Sequence, residues 1–212
     1  MPTHSLNRPT DSVFNGPHLH DATLIDFWQW AMADLCDDDV KGFFAEWLIH
    51  KLLGVASNRR VSWANNDLVT ASNVTIEIKA TSYWQSWKVL NASGEALVQR
   101  KYGATNESAI RFNGLRARDS TSVVDMSTTK GLKSQIYVFA FQHETDIVRW
   151  NAMDLGQWEF YVLRAEEITR LTPGSSVSLK RLRSVQAPLT AAEFVGVASN
   201  LIQIVAAERS EV

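Results

Sequence analysis

Three residues in the middle of the chain have the types and the spacing for metal-assisted hydrolysis. Glu77 and Lys79 lie two apart in a stretch, Val74 to Thr81, that alternates strictly. Val74, Ile76, Ile78 and Ala80 point one way, and Thr75, Glu77, Lys79 and Thr81 the other, as in a half-buried β-strand. A carboxylate and an ammonium thus project from one strand face. Asp67 opens a short extended piece, Leu68 to Thr70, which a turn at Ala71–Asn73 joins to that strand. A hairpin of this kind brings Asp67 beside Glu77 and gathers two carboxylates and one ammonium. Carboxylate oxygens are hard ligands suited to magnesium or manganese. Such a metal polarises a phosphodiester, lowers the pKa of a bound water and stabilises the leaving oxygen. A lysine adds positive charge for the transition state and orients the attacking water.

Glu and Lys at i and i+2 are also common surface decoration on an exposed strand. The apolar, β-branched strand, Asp67 one hairpin away and a preceding helical Glu46 favour the chemical reading. Glu46 sits in Gly42-Phe43-Phe44-Ala45-Glu46-Trp47 at the border of an apolar stripe. A carboxylate there needs a partner, and a place near the metal is expected. If the three central residues are decoration, they do not converge in space.

These residues need a scaffold. Residues 1–20 read as an irregular arm. Asp21 is the expected N-cap of a helix over 22–35 with Ile25, Trp28, Met32 and Leu35 at helical spacing. A second helix is expected over 39–53, with Val40, Phe43, Phe44, Trp47, Leu48 and Leu52 as its stripe and Gly54 closing it. Asp37, Asp38 and Asp39 suit the positive end of that helix. Residues 88–133 read as a polar insertion with a strand near Ala109–Phe112. Ile136 to Phe141 reads as a buried central strand, Trp158 to Leu163 as another, and Ala165 to Leu171 as a short helix. A capping box, Thr190 with Glu193, opens a last helix whose face is Phe194, Val197, Ala198, Leu201, Ile202 and Val205. The expectation is one α/β domain over 21–212, with a mixed central sheet of about five strands flanked by the two early helices and the last one.

Bulk composition narrows the function. The chain has 212 residues, 45% of them hydrophobic, with eight Trp and nine Phe, enough to bury a full core. A single cysteine, Cys36, excludes an internal disulfide and suits the cytoplasm. No apolar run reaches the roughly 18 residues of a membrane span, and no signal peptide is read at the N-terminus. There is no Gly-rich phosphate loop, so no nucleotide cofactor is expected. The net charge is −2, but it is uneven. Residues 1–58 carry three basic and eight acidic side chains, whereas 88–133 carry eight basic and four acidic. Lys88, Arg100, Lys101, Arg111, Arg116 and Arg118 are therefore candidates to face phosphates. His18 and His20 read as part of an exposed arm. His50 and His143 have no partner legible in the sequence. Trp84 and Trp87 could stack on bases, but a core position is the commoner fate of Trp.

The order of a helix bearing Glu46, then Asp67, then Glu77-Ile78-Lys79 on a strand resembles the PD-(D/E)XK, or restriction-endonuclease-like, nuclease superfamily. The segment Ile76-Glu-Ile-Lys-Ala-Thr-Ser-Tyr-Trp-Gln-Ser-Trp87 is similar to a group of stand-alone bacterial proteins of that type, as is Gln157-Trp-Glu-Phe-Tyr-Val-Leu163. The likeness runs from about Gly42 to the last helix and is weak across 88–133. It implies a restriction-endonuclease-like core with Asp67 and Glu77 as metal ligands, joined by the backbone carbonyl of Ile78. It also implies Lys79 as the catalytic lysine, Glu46 as an accessory helical acid at the metal, and Gln85 as a supporting polar residue. The cofactor would be Mg2+, with Mn2+ as a substitute. The substrate would be DNA, and a homodimer would serve its two strands. Asn66 stands where the nominal motif has proline. The alternative is a catalytically inactive nucleic-acid-binding module that keeps the fold.

Overall fold

The computed structural model describes residues 22–55, 60, 64–85, 109–116 and 131–210. The chain separates into two compact units, Met1–Leu35 and Cys36–Val212. In the first, α1 (Leu24–Ala31) is closed by a capping box in which the Thr23 hydroxyl accepts from the Asp26 N–H and the Asp26 carboxylate accepts from the Thr23 N–H. Thr23 therefore holds the N-cap expected of Asp21, which lies outside the described residues. The helix stops at Ala31 because Met32 leaves helical geometry, so Leu35 is not on its face. No residue of α1 is buried.

The second unit begins with α2 (Asp38–Leu52). Asp37 caps it, accepting from the N–H groups of Asp39 at 3.0 Å and Val40 at 3.2 Å, which is the role expected of the aspartate run. Gly54 follows with φ +64°, the left-handed geometry that a side chain would strain. The buried face is Lys41, Ala45, Leu48 and Ile49, packed on strand β2. This corrects the expected stripe, since Phe43 and Trp47 are 36% and 50% exposed. The i, i+4, i+7, i+8 set beginning at Lys41 faces the sheet, and the larger aromatics lie off that line.

Among the described residues six strands form two sheets. The main sheet holds β1 (Leu68–Val69), β2 (Thr75–Ser82), β4 (Ile136–Gln142) and β5 (Trp158–Arg164) in the order β1-β2-β4-β5. The β1/β2 and β4/β5 pairs are antiparallel and β2/β4 is parallel. The result is a mixed sheet of four strands rather than about five. The remaining expected strand, β3 (Arg111–Phe112), instead pairs antiparallel with β6 (Val177–Ser178) in a small sheet of its own. Helices α3 (Ala165–Leu171), α4 (Leu179–Arg183) and α5 (Ala191–Ser210) complete the unit. Neither β6 nor α4 was anticipated from the sequence.

Register fixes what each face does. Glu77 pairs with Tyr137, Lys79 with Phe139 and Thr81 with Phe141, so these residues share one face. There Tyr137, Phe139, Phe141, Tyr161 and Leu163 form a core with Phe112, Leu179 and Leu182 of the small sheet and α4. Phe112 meets Phe139 edge-on, with ring centroids 5.1 Å apart, a favoured aromatic geometry. On the opposite face, Ile76, Ile78, Val138 and Phe160 meet α2 and α5. Phe160 stacks on Phe194 at 5.0 Å. Each large side chain fully buried here contributes on the order of 1.5–3 kcal/mol. The capping box at Thr190 and Glu193 is present. Of the expected α5 face, Phe194, Ala198 and Val205 are buried while Val197 is 40% exposed. By length and composition α5 could cross a membrane; it packs one face on β5.

Candidate active site

The candidate site lies at the outer edge of β2. β1 begins only at Leu68, opposite Ile76, so it covers just the first part of β2. Beyond it the Ile78 N–H lacks a strand partner, and the Asp67 carboxylate takes its place, accepting from Ile78 N at 2.7 Å. In an extended strand the N–H and C=O of one residue point to the same edge. The Ile78 carbonyl therefore faces the edge that holds Asp67. The hairpin that sets this geometry is closed by Thr70 N–H to Val74 O at 2.9 Å and by Asn73 with φ +59°.

Glu77 and Lys79 project together from the same face of β2, with Nζ 2.7 Å from Glu77 Oε1. The Ser134 hydroxyl reaches the other Glu77 oxygen at 3.5 Å. Ser134 is itself held by the Asn66 amide at 2.8 Å, which also donates to Lys133 O at 3.0 Å. Asn66 thus ties the chain at Asp67 to the segment behind Glu77. Burial pushes the Glu77 carboxyl above the usual carboxylate range, and the Asp67 charge adds to the rise, while Lys79 opposes it. Glu46 is raised in the same way, first by burial, with Asp67 again adding. Asp67, Glu77, Glu46 and Lys79 are thus near enough for their charges to act on one another.

The details differ from expectation in several places. The Glu46 carboxylate is taken by Arg60, at 2.5 and 3.0 Å, and the Arg60 guanidinium lies 4.5 Å from the Phe43 ring centre. Gln85, expected as a supporting polar residue, is buried and holds Lys41, whose ammonium donates to Gln85 Oε1 at 2.5 Å and to Trp84 O at 3.4 Å. His50, which had no legible partner, has Nε2 3.3 Å from the Asp67 carbonyl. Trp84 is 2% exposed and belongs to the core. Among the described residues no three His, Cys, Asp or Glu side chains stand close enough together to hold a metal ion. The Asp67 carboxylate and the Ile78 carbonyl at the strand edge, and the Glu77 carboxylate on the adjoining face, are hard oxygens of the type that magnesium takes.

A cleft of about 610 Å³ opens over this edge, and Glu46, Asp67, Lys79, Gln85, Arg60 and Arg111 are in its wall. Glu77 is not, since its carboxylate is turned to Lys79 and Ser134. Gly114, at φ +72°, passes close to Lys79; a Cβ there would lie 3.8 Å from Nζ. Of the expected phosphate-facing residues, Arg111 lines the cleft, while Arg116 donates to the Gly174 and Thr172 carbonyls at 3.1 and 3.2 Å. Lys88, Arg100, Lys101 and Arg118 lie outside the described residues, as do His18, His20 and Trp87. Arg60, Lys41 and Ser134 were not expected at the site. Only Lys41 left a signal, as the first member of the spacing that continues with Ala45, Leu48 and Ile49. In comparisons with known proteins, the chain matches no family model, no curated protein and no solved structure.

Proposed function

We propose that the chain is a metal-dependent nuclease that hydrolyses DNA phosphodiester bonds, with the restriction-endonuclease-like core that the order of its motif residues resembles. The observation that supports the reading is the Asp67 carboxylate on the Ile78 N–H at the uncovered edge of β2, with the Glu77–Lys79 pair on the adjoining face, beside a cleft walled in part by cations. Asp67, Glu77 and the Ile78 carbonyl would hold Mg2+ or Mn2+, which would supply a polarised phosphate and an activated water. Lys79 stands at the cleft wall, where its ammonium can stabilise the charge that grows on the phosphate in the transition state. Glu46, paired with Arg60, acts one step away through the charge it adds to the cluster.

The test is cleavage of plasmid and phage DNA by the purified protein with magnesium or manganese, beside Lys79→Ala. Cutting that needs the metal and falls roughly a hundredfold or more in the variant is the expected result. A variant that cuts as fast as the wild type refutes the assignment of Lys79.

One observation favours a second reading, an inactive nucleic-acid-binding module. The Glu77 carboxylate is engaged by Lys79 rather than turned into the cleft. On this reading duplex DNA binds without cleavage under any metal, and Lys79→Ala leaves binding unchanged.

A further inference from the structure

A second concavity, of about 640 Å³, lies beside the cleft and is built from β3, β6, α4 and the loop before β6. Its lining includes Arg111, Lys180 and Arg181, with the hydroxyls of Thr172, Ser176 and Ser178, and no Asp or Glu. None of the three cations is in an ion pair among the described residues. All three side chains are exposed. In a chain with more acidic than basic residues, such a local concentration of cations is not inherited from composition.

The fold itself assembles it. Register sets Arg111 opposite Ser178, and α4 starts at the next residue, so Lys180 and Arg181 follow directly on Arg111's cross-strand neighbour. The Arg111 guanidinium donates to the Ser176 hydroxyl at 3.2 Å, and Arg181 donates to Leu171 O at 3.1 Å. Two of the three cations are thus held in place by neutral acceptors, which fix their position without cancelling their charge. Cations with nearby hydroxyl donors are the chemistry of a phosphate site. Arg111 also lines the candidate active-site cleft, so the two concavities share a wall.

We infer that this pocket binds a backbone phosphate of a polynucleotide, on the same strand as the phosphodiester that enters the cleft. The choice of a polynucleotide rests on the nuclease reading; the affinity for phosphate rests on the pocket alone. Apart from Arg111, which belongs to the basic insertion that the sequence singles out, the pocket's lining lies on 172–184.

The test is binding of a short labelled DNA duplex to the full chain by fluorescence anisotropy, in EDTA and across a salt series. Removing one cation that neutralises a phosphate makes the slope of log K against log salt shallower by about 0.9. Lys180→Ala should therefore flatten the slope by about 1, and Lys180→Ala/Arg181→Ala by about 2, with affinity falling roughly tenfold or more. The Lys180 side chain is exposed and has no hydrogen-bond partner among the described residues, so its single variant does not threaten the fold. Wild-type slope and affinity in both variants would overturn the inference. Competition with inorganic phosphate separates the sources. Tight binding of free phosphate in the pocket, with no duplex bound, would also overturn it. The nuclease reading is judged separately, by metal-dependent cleavage in Lys79→Ala. A protein that never cuts, yet shows the flattened slope in Lys180→Ala, loses the nuclease and keeps the pocket.

Discussion

Asp67 does two jobs that substitution can separate. Its carboxylate accepts the Ile78 N–H at 2.7 Å, at a strand edge where β1 is absent. Its charge also raises both Glu77 and Glu46. Asp67→Asn keeps an acceptor of the same size and removes the charge. The bond to Ile78 becomes a neutral one, but the repulsion with two part-buried carboxylates disappears, and stability should stay within about 1 kcal/mol of wild type. Asp67→Ala relieves the same repulsion and leaves the Ile78 N–H, on a residue 5% exposed, without its partner. An unsatisfied buried donor costs about 1–3 kcal/mol. Asp67→Ala should therefore be less stable than Asp67→Asn by that amount, a drop of roughly 0.5–1 M in urea midpoint. The chain's buried Trp84 and Trp158 give a fluorescence signal for the unfolding. Both variants should lose metal-dependent cleavage, since either removes the anionic ligand. Equal midpoints for the two would refute the hydrogen-bonding role, and cleavage by Asp67→Asn would refute the ligand role.

Glu77→Gln should show the electrostatic cost of the site. Because the Glu77 carboxyl is raised in the folded protein, chiefly by burial, its contribution to stability is fully present below the ordinary Glu range. That contribution is lost as pH rises through the raised folded value. Without metal, the Gln variant should therefore have the higher thermal midpoint at neutral pH, and the difference should vanish toward about pH 4; a difference that grows on acidification would contradict this. Phe139→Ala removes a fully buried ring that meets Phe112 edge-on, and should cost about 3–5 kcal/mol in urea unfolding; a cost below about 1 kcal/mol would mean this face is not the core. Lys41→Met leaves Gln85 Oε1 without its donor and should lower stability by about 1–3 kcal/mol. A variant as stable as wild type would show that Lys41 is not what holds Gln85.

The parts of the site that were legible depend on local periodicity. The alternation from Val74 to Thr81 set Glu77 and Lys79 on one face, because side chains alternate along any strand whatever surrounds it. The turn at Ala71–Asn73 brought Asp67 alongside, because a short hairpin fixes its own register. The all-apolar run at Ile136–Phe141 read as a central strand and is one, buried throughout. Ala165–Leu171 matched a helix residue for residue.

Long-range choices were not legible. The sequence allowed the piece at Ala109–Phe112 to join the main sheet, but β3 pairs with β6, some 65 residues away, which no local pattern encodes. The buried face of α2 departs from the apolar stripe because Phe43 and Trp47 are large and apolar, yet the packing on β2 is made by the smaller residues in line with Lys41. Partners of single polar groups were equally out of reach. Arg60 on Glu46, Lys41 on Gln85, Ser134 behind Glu77 and His50 at the Asp67 carbonyl each join segments far apart in the chain. The basic pocket is the clearest case, since Arg111 and Lys180 are neighbours only through a two-residue strand pairing. Sequence alone determined which residues share a strand face, because that is a property of the extended backbone. Only tertiary structure decided which segments meet, because pairing and packing depend on free-energy differences between whole arrangements of the chain.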